Sequence, residues 1–430
     1  MRKWCSGLGL LAFFAAPAFA QQTAAPIMGV TVADSGDTAW VMLSALLMLI
    51  MAIPGLALFF SGQVAAKHIY ATVTQALAIT AAVSLVWIAI GYSLAFGEGT
   101  TLLGGTDNAF LASLAELRAD TTVPESSFAL YQMVSAILAA VLLIGAAADR
   151  ARFGWMLSFA VLWSLCVYVP VAHWLGGNGW LAALGAHDFA GGLVVNVAAG
   201  VSALVIALMI KPRNASEQNA TPDRGAALTF LGGGLIWIGW LAFIGGAALS
   251  ASDDASAAII NAHISACAAA LVWALIERVR NGVVSATGLM RGAVAGLAAA
   301  SASAGYIGPM GAMILGAIAG LASVLTVALI KTQAAIDDGN SVFAVFGISG
   351  IVGALLFPIF VPILGGPGFE QGVTMTNQML AQGIAVGVVA IWSVVVTLVM
   401  GLGITLVIPM RLTPAEEAHA AGNNDVTMGI

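Results

Sequence analysis

Eleven stretches of about twenty apolar residues, joined by short polar links, decide what this chain can fold into. They lie near 39–61, 70–96, 127–148, 154–174, 191–211, 226–249, 256–277, 285–304, 308–330, 342–364 and 379–408. A hydrocarbon core about 30 Å thick takes roughly 20 apolar residues per helix, and a helix satisfies its own backbone polar groups in lipid. The expected fold class is therefore an all-α integral membrane protein with eleven transmembrane helices. Composition agrees: 8% of residues are charged and mean hydropathy is +1.01, whereas a soluble domain is about 25% charged. The 50 glycines suit helices that pack closely in a bilayer, and Gly292-xxx-Gly296 and Gly316-xxx-Gly320 have the spacing for it.

Residues 1–20 read as a separate unit. Arg2 and Lys3 precede the apolar run Gly7–Ala16, and Ala18-Phe19-Ala20 forms a small-residue cleavage site. That is the pattern of a secretory signal peptide, whose removal puts the mature N-terminus outside. The expected organisation is a signal at 1–20, a transmembrane domain at 21–410 and a cytoplasmic tail at 411–430. Charge tests the span count. With an outer N-terminus, Lys67, Arg150, Arg152, Lys211, Arg213, Arg224, Arg278, Arg280, Arg291, Lys331 and Arg411 fall on the cytoplasmic side and only Arg118 outside. This is the bias that orients a multi-pass protein of the cell inner (plasma) membrane. Outer loop 97–126 carries Glu98, Asp107, Glu116, Asp120 and Glu125, either a solvated loop or a rim that enriches cations. Cys166 and Cys267 lie in apolar spans and read as small buried hydrophobes.

No basic patch, Gly-rich phosphate loop, metal-ligand cluster or nucleophile–base pair appears, so neither nucleic acid nor a cofactor nor enzymatic chemistry is expected. Asn214 and Asn219 match a glycosylation pattern, but in a cytoplasmic loop. An internal echo says more. Val195-Asn196-Val197-Ala198-Ala199-Gly200 resembles Val345-Phe346-Gly347-Ile348-Ser349-Gly350 five spans later. An odd spacing between equivalent helices implies an inverted five-plus-five repeat, with a final helix added and a substrate path at the shared interface. Asp188, just before the fifth span, suits either a helix cap or an anion behind a cation-binding vestibule. Asn196 suits either a helix–helix staple or a pore lining. Trp240, Phe243 and Phe346, taken alone, are ordinary core or lipid-facing aromatics. His68, His173 and His187 fall at helix ends, and His263 reads as satisfied locally.

Several motifs carry a resemblance to a known family. Asp37-Thr-Ala-Trp, Ile53-Pro-Gly-Leu-Ala-Leu-Phe-Phe-Ser-Gly62 and Gly91-Tyr-Ser-Leu-Ala-Phe-Gly-Glu-Gly99 look like an Amt/Rh ammonium transporter. So do Asp149-Arg-Ala-Arg-Phe153, Tyr168-Val-Pro-Val-Ala-His173, Asp188-Phe-Ala-Gly-Gly192, Gly305-Tyr-Ile-Gly308 and Gly372-Val-Thr-Met375. The resemblance implies eleven helices in a five-plus-five inverted repeat plus one, assembled as a homotrimer with one pore per subunit. It also implies an outer vestibule for ammonium, stacked phenylalanine gates, and a histidine pair on the fifth and tenth spans.

Carried over position by position, part of that machinery is kept. Asp188 matches the vestibule aspartate, and Trp240 and Phe243 match the aromatic pair of the sixth span. The outer gate position is Ser135, the vestibule tryptophan position Gly176 and the vestibule serine position Ala247. The two histidine positions hold Asn196 and Phe346. An amide does not titrate near neutral pH and a benzene ring carries no exchangeable proton, so no imidazole relay can operate. Trp174 and Trp180 flank the lost tryptophan as candidate cation–π partners. The implied function is movement of ammonium, ammonia or a related small amine without the histidine pair. The alternatives are a non-conducting sensor working through a cytoplasmic PII-type partner, and a site for a bulkier amine or neutral solute.

Overall fold

The computed structural model describes residues 32–147, 149–210, 212, 225–332, 336–363, 366–369, 371–411 and 413. The expected signal peptide, Lys211, Arg213, Asn214, Asn219, Arg224, His419 and nearly all of the tail lie outside them. The described residues contain helices and no strand, only two isolated bridges. Ten helices are long and apolar enough to cross a membrane: α1 Ser35–Ser61, α2 Ile69–Phe96, α3 Glu125–Ala147, α4 Phe153–Ala183, α5 Gly192–Ile210, α6 Gly225–Gly246, α7 Asp253–Asn281, α9 Pro309–Lys331, α10 Phe343–Phe360 and α11 Met375–Thr405. The segment expected as the eighth span forms a helix of 16 residues, α8 Ala286–Ser301. At 1.5 Å per residue it is about 24 Å long, short of a full hydrocarbon thickness.

Small residues place α8. Gly292 lies against Ala269, Ala270 and Trp273 of α7, and Gly296 against Ser265 and Ala266. On α9, Gly316 and Gly320 press on the same Ser265 and Ala269. Both glycine pairs expected from spacing therefore close on one partner, α7, and the Ser265 hydroxyl donates to the Gly296 carbonyl (2.7 Å). A Cβ at these glycines would meet helix backbone, which cannot move aside.

Pro54, Pro170 and Pro358 lie within α1, α4 and α10, and α11 repairs the last two breaks. Pro170 lacks the N–H that would reach the carbonyl of Cys166, four residues back; the Trp392 indole donates there instead (3.0 Å). Pro358 likewise frees the carbonyl of Ala354, and the Gln382 amide donates to it (3.3 Å). Without water, such carbonyls need a partner from a neighbouring helix. Cys166 and Cys267 are free thiols, both partly exposed rather than buried as expected, because each falls on the outward flank of its helix.

The centre of the bundle belongs to α5 and α10. Each opens with a wide helical turn, Gly192–Val197 and Phe343–Gly347, of the kind that collects at functional sites. A Cβ on Gly200 would strike the backbone of Gly347, and one on Gly350 the carbonyl of Gly192 and the side chain of Asn196. Moving back along α5 thus moves forward along α10, so the two helices cross antiparallel at glycines.

Candidate functional site

The α4–α5 link turns sharply at Gly191, whose φ is 73°, and this aims the free amides of α5 back at Asp188. Asp188 Oδ2 accepts from the backbone N–H of Leu193 and Val194, both at 2.9 Å. Its Oδ1 is buried and has no partner. Burial pushes the carboxyl up to about 7, against the pull of the amides of Val194, Leu193 and Gly192. The helix-cap reading of Asp188 is met by these two bonds, and its second oxygen is left over.

Above Asp188 lies a cavity of about 270 Å³. Of the eight predicted site residues, Asp188, Ser135, Gly176, Phe243 and Ala247 line it. Trp240, Asn196 and Phe346 do not; all three are fully buried at 0% exposure. Trp174 and Trp180 lie outside the lining, which corrects their candidacy as cation–π partners. Trp174 is held by its indole N–H on the Leu102 carbonyl (2.9 Å) and packs on Trp180 and Trp392.

An aromatic column runs from the cavity into the core. Tyr131 donates its hydroxyl to the Phe243 carbonyl, and the two rings lie 6.2 Å apart. Phe243 meets Trp240 edge-on at 6.1 Å, and Trp240 stacks on Phe346 at 5.8 Å and 29°. The Trp240 indole N–H donates to Ser301 Oγ (2.9 Å). At the same depth Asn196 Nδ2 donates to the Ala298 carbonyl (3.2 Å), while Asn196 Oδ1 is buried and unpaired. The staple predicted for Asn196 is made, and one acceptor is left over.

Sequence reasoning missed two charged residues. Arg118, noticed only as the lone outer cation, lines the cavity beside Phe96, Phe128 and Tyr168. Asp338 repeats Asp188 at the other end: its Oδ1 accepts from Val342 N (2.9 Å) and its Oδ2 from Phe343 N (3.0 Å), at the head of α10. Burial raises its carboxyl to about 6, against those amides and the nearby Arg291 and Arg150. The signal was available, since Asp338 precedes Phe346 by eight residues, as Asp188 precedes Asn196. His173, in the last turn of its helix stretch, is buried between the carbonyls of Ala95 and Thr100. His263 lies beside Trp237 and Cys267.

Comparison with known proteins gives one answer. The model of the "Ammonium Transporter Family" matches residues 39–426. An ammonium transporter of Bacillus subtilis is 36% identical over 387 residues, covering 89% of this chain and 95% of its own. One of Aquifex aeolicus is 37% identical over 390 residues, covering 89% and 90%. Among solved structures, a protein described as a sensor Amt protein superposes with a TM-score of 0.83 at 29% identity, covering 89% of this chain and 96% of that one. Candida albicans Mep2 gives 0.81 at 32% identity, covering 89% and 88%.

Proposed function

The chain belongs to the ammonium transporter family, and we propose that it moves ammonium, ammonia or a related small amine across the bilayer without paired histidines. The observation that carries this reading is the cavity over Asp188. Ser135, Gly176 and Ala247 open it, Asp188 supplies the anion at the head of α5, and Phe243 stands at its inner wall. Asn196 Oδ1, buried and unpaired, offers an acceptor to an N–H of a solute passing between α5 and α10. Bare ammonium is costly to desolvate and neutral ammonia is not, so deprotonation before the Trp240–Phe346 stack is the physical requirement. Proteoliposomes given an ammonium pulse should develop a transient current or an ammonia-driven internal pH change. Silence in both, beside a working family member, would sink the proposal.

The same reading treats α8 as an eleventh span. Its support is positional: the Ser301 and Ala302 carbonyls at its end accept from Ala190 N (2.7 Å) and Phe189 N (3.3 Å) beside Asp188, while its start adjoins Glu277 and Ser285 at the opposite end of α7. An inverted five-plus-five repeat plus α11, an outer N-terminus, a homotrimer and a PII-type cytoplasmic regulator complete the proposal.

One observation favours a second reading, a non-conducting sensor. Phe346 fills the position between α5 and α10 and is stacked on Trp240. A sensor should capture a cytoplasmic partner in an ammonium-dependent way, and a ligand-blind pull-down would remove this reading.

A further inference from the structure

The cavity over Asp188 has charges of opposite sign in its lining, and only one of them suits ammonium. Arg118 belongs to the outer segment before α3, with 17% of its side chain exposed. Its guanidinium lies over the ring of Phe128 at 4.5 Å and of Phe96 at 5.5 Å. Glu125 pairs with it at 3.8 Å, an ion-pair contact longer than a hydrogen bond. That carboxylate is already occupied, since Oε1 accepts from the Tyr92 hydroxyl (2.7 Å) and Oε2 from the backbone N–H of Ala115. Arg118 is thus fixed in place by its aromatic shelf, by Glu125 and by the Tyr92 hydroxyl, two polar partners set against the five N–H donors of its fork. A guanidinium presents up to five N–H donors in a plane that matches a carboxylate two-on-two.

A lone cation gains nothing from this group and is repelled by it. A ligand carrying both signs gains from both ends. We propose that the vestibule takes a small zwitterion, an amine that also bears a carboxylate, with its ammonium toward Asp188 and its carboxylate on Arg118. The aromatic faces of Tyr131, Tyr168 and Phe243 line the space between and suit a cation and a short methylene chain alike. Volume points the same way. About 270 Å³ is room for several water-sized molecules at roughly 30 Å³ each, far more than one ammonium ion fills. The space is open because positions 135, 176 and 247 carry Ser, Gly and Ala.

This inference rests on reading the cavity as the ligand site of the transport proposal, and its test separates the two. Binding to the purified full-length protein is measured by calorimetry for glycine, β-alanine and 4-aminobutyrate, each against the amine it would leave on decarboxylation: methylamine, ethylamine and propylamine. At least one zwitterion should bind about tenfold tighter than its amine, the gain expected of one charge-assisted contact. Arg118→Gln should bring that ratio to near one while amine affinity stays level or rises; Arg118→Lys, which keeps charge but loses the fork, should fall between. If every amine in the native protein binds as well as its zwitterion, the proposal is overturned whatever the variants do. A ratio unchanged in a folded Arg118→Gln protein overturns it too, leaving Arg118 a clamp on the outer loop. Ammonium currents recorded on the same preparation decide the transport reading independently: currents with no zwitterion preference sink only this inference, and preference with no currents sinks only that one.

Discussion

Asn196 and Phe346, the positions that the proposed function reads as a missing imidazole pair, are each enclosed on all sides. Replacing both with His puts titratable groups on α5 and α10 where these helices cross. The Asn196→His, Phe346→His double variant should conduct ammonium faster than the native chain in proteoliposome recordings, because Trp240 still offers the stacking face. A silent double variant would mean that the path is closed elsewhere. Asp188 gives the second prediction at this scale. Its carboxyl ionises near 7 in the folded protein against about 3.9 in an unfolded chain, so between those values the native state holds a proton that the unfolded state has lost. Stability should therefore fall as pH rises from about 4 to about 7 and level off above. Amine binding should move the other way, strengthening through pH 7 as the carboxylate charges. Asp188→Asn should flatten both profiles, read by thermal melts and by binding titrations.

Helix α11 shows what an element contributes beyond its own span. Gln382 serves the carbonyl of Ala354 and that of His187 (2.9 Å), while its Oε1 accepts from His187 N (2.7 Å). One side chain thus braces the proline break of α10 and the link that carries Asp188. Gln382→Leu leaves these groups orphaned and should cost on the order of 1–3 kcal/mol, measured as a lower midpoint in detergent unfolding. Amine affinity should weaken as well, since the Asp188 link loses its strut. A stability loss with affinity unchanged would mean that the link holds its shape without α11. The heads of α5 and α10 make the complementary point, because two carboxylates cap two wide turns in the same manner. Spacing alone carried that symmetry, and only the identity of the residues at 196 and 346 obscured it.

At the scale of the molecule, five spans lie between loop 97–124 and the α7–α8 link, so the two should face opposite sides. After Cys166 and Cys267 are changed to Ala, Asp107→Cys should label with an impermeant thiol reagent on intact cells. Arg280→Cys should label only after permeabilisation. Labelling of both from one side would break the orientation that the positive residues imply. Both positions are solvent-exposed, so failure to label is not a matter of burial.

The run of apolar segments, the glycine pairs on α8 and α9, the prolines and the eight-residue offset before positions 196 and 346 were all legible in the chain, because each is a local pattern set by bilayer thickness or by close packing. Five of the eight candidate site residues line one cavity, and Trp240, Asn196 and Phe346 do not. What sequence could not supply was direction. Whether Trp174 faces the vestibule, whether Arg118 folds over it, and which helix repairs a proline break depend on contacts between residues 28 to 226 positions apart, or on the course of a loop with no periodicity to read. Nor could sequence fix the depth of α8, whose 16 residues gain their enclosure from α7 and α9 rather than from their own length. The apolar pattern determined that the chain crosses a membrane many times; only the packed bundle decided that an arginine and an aspartate would line the same cavity.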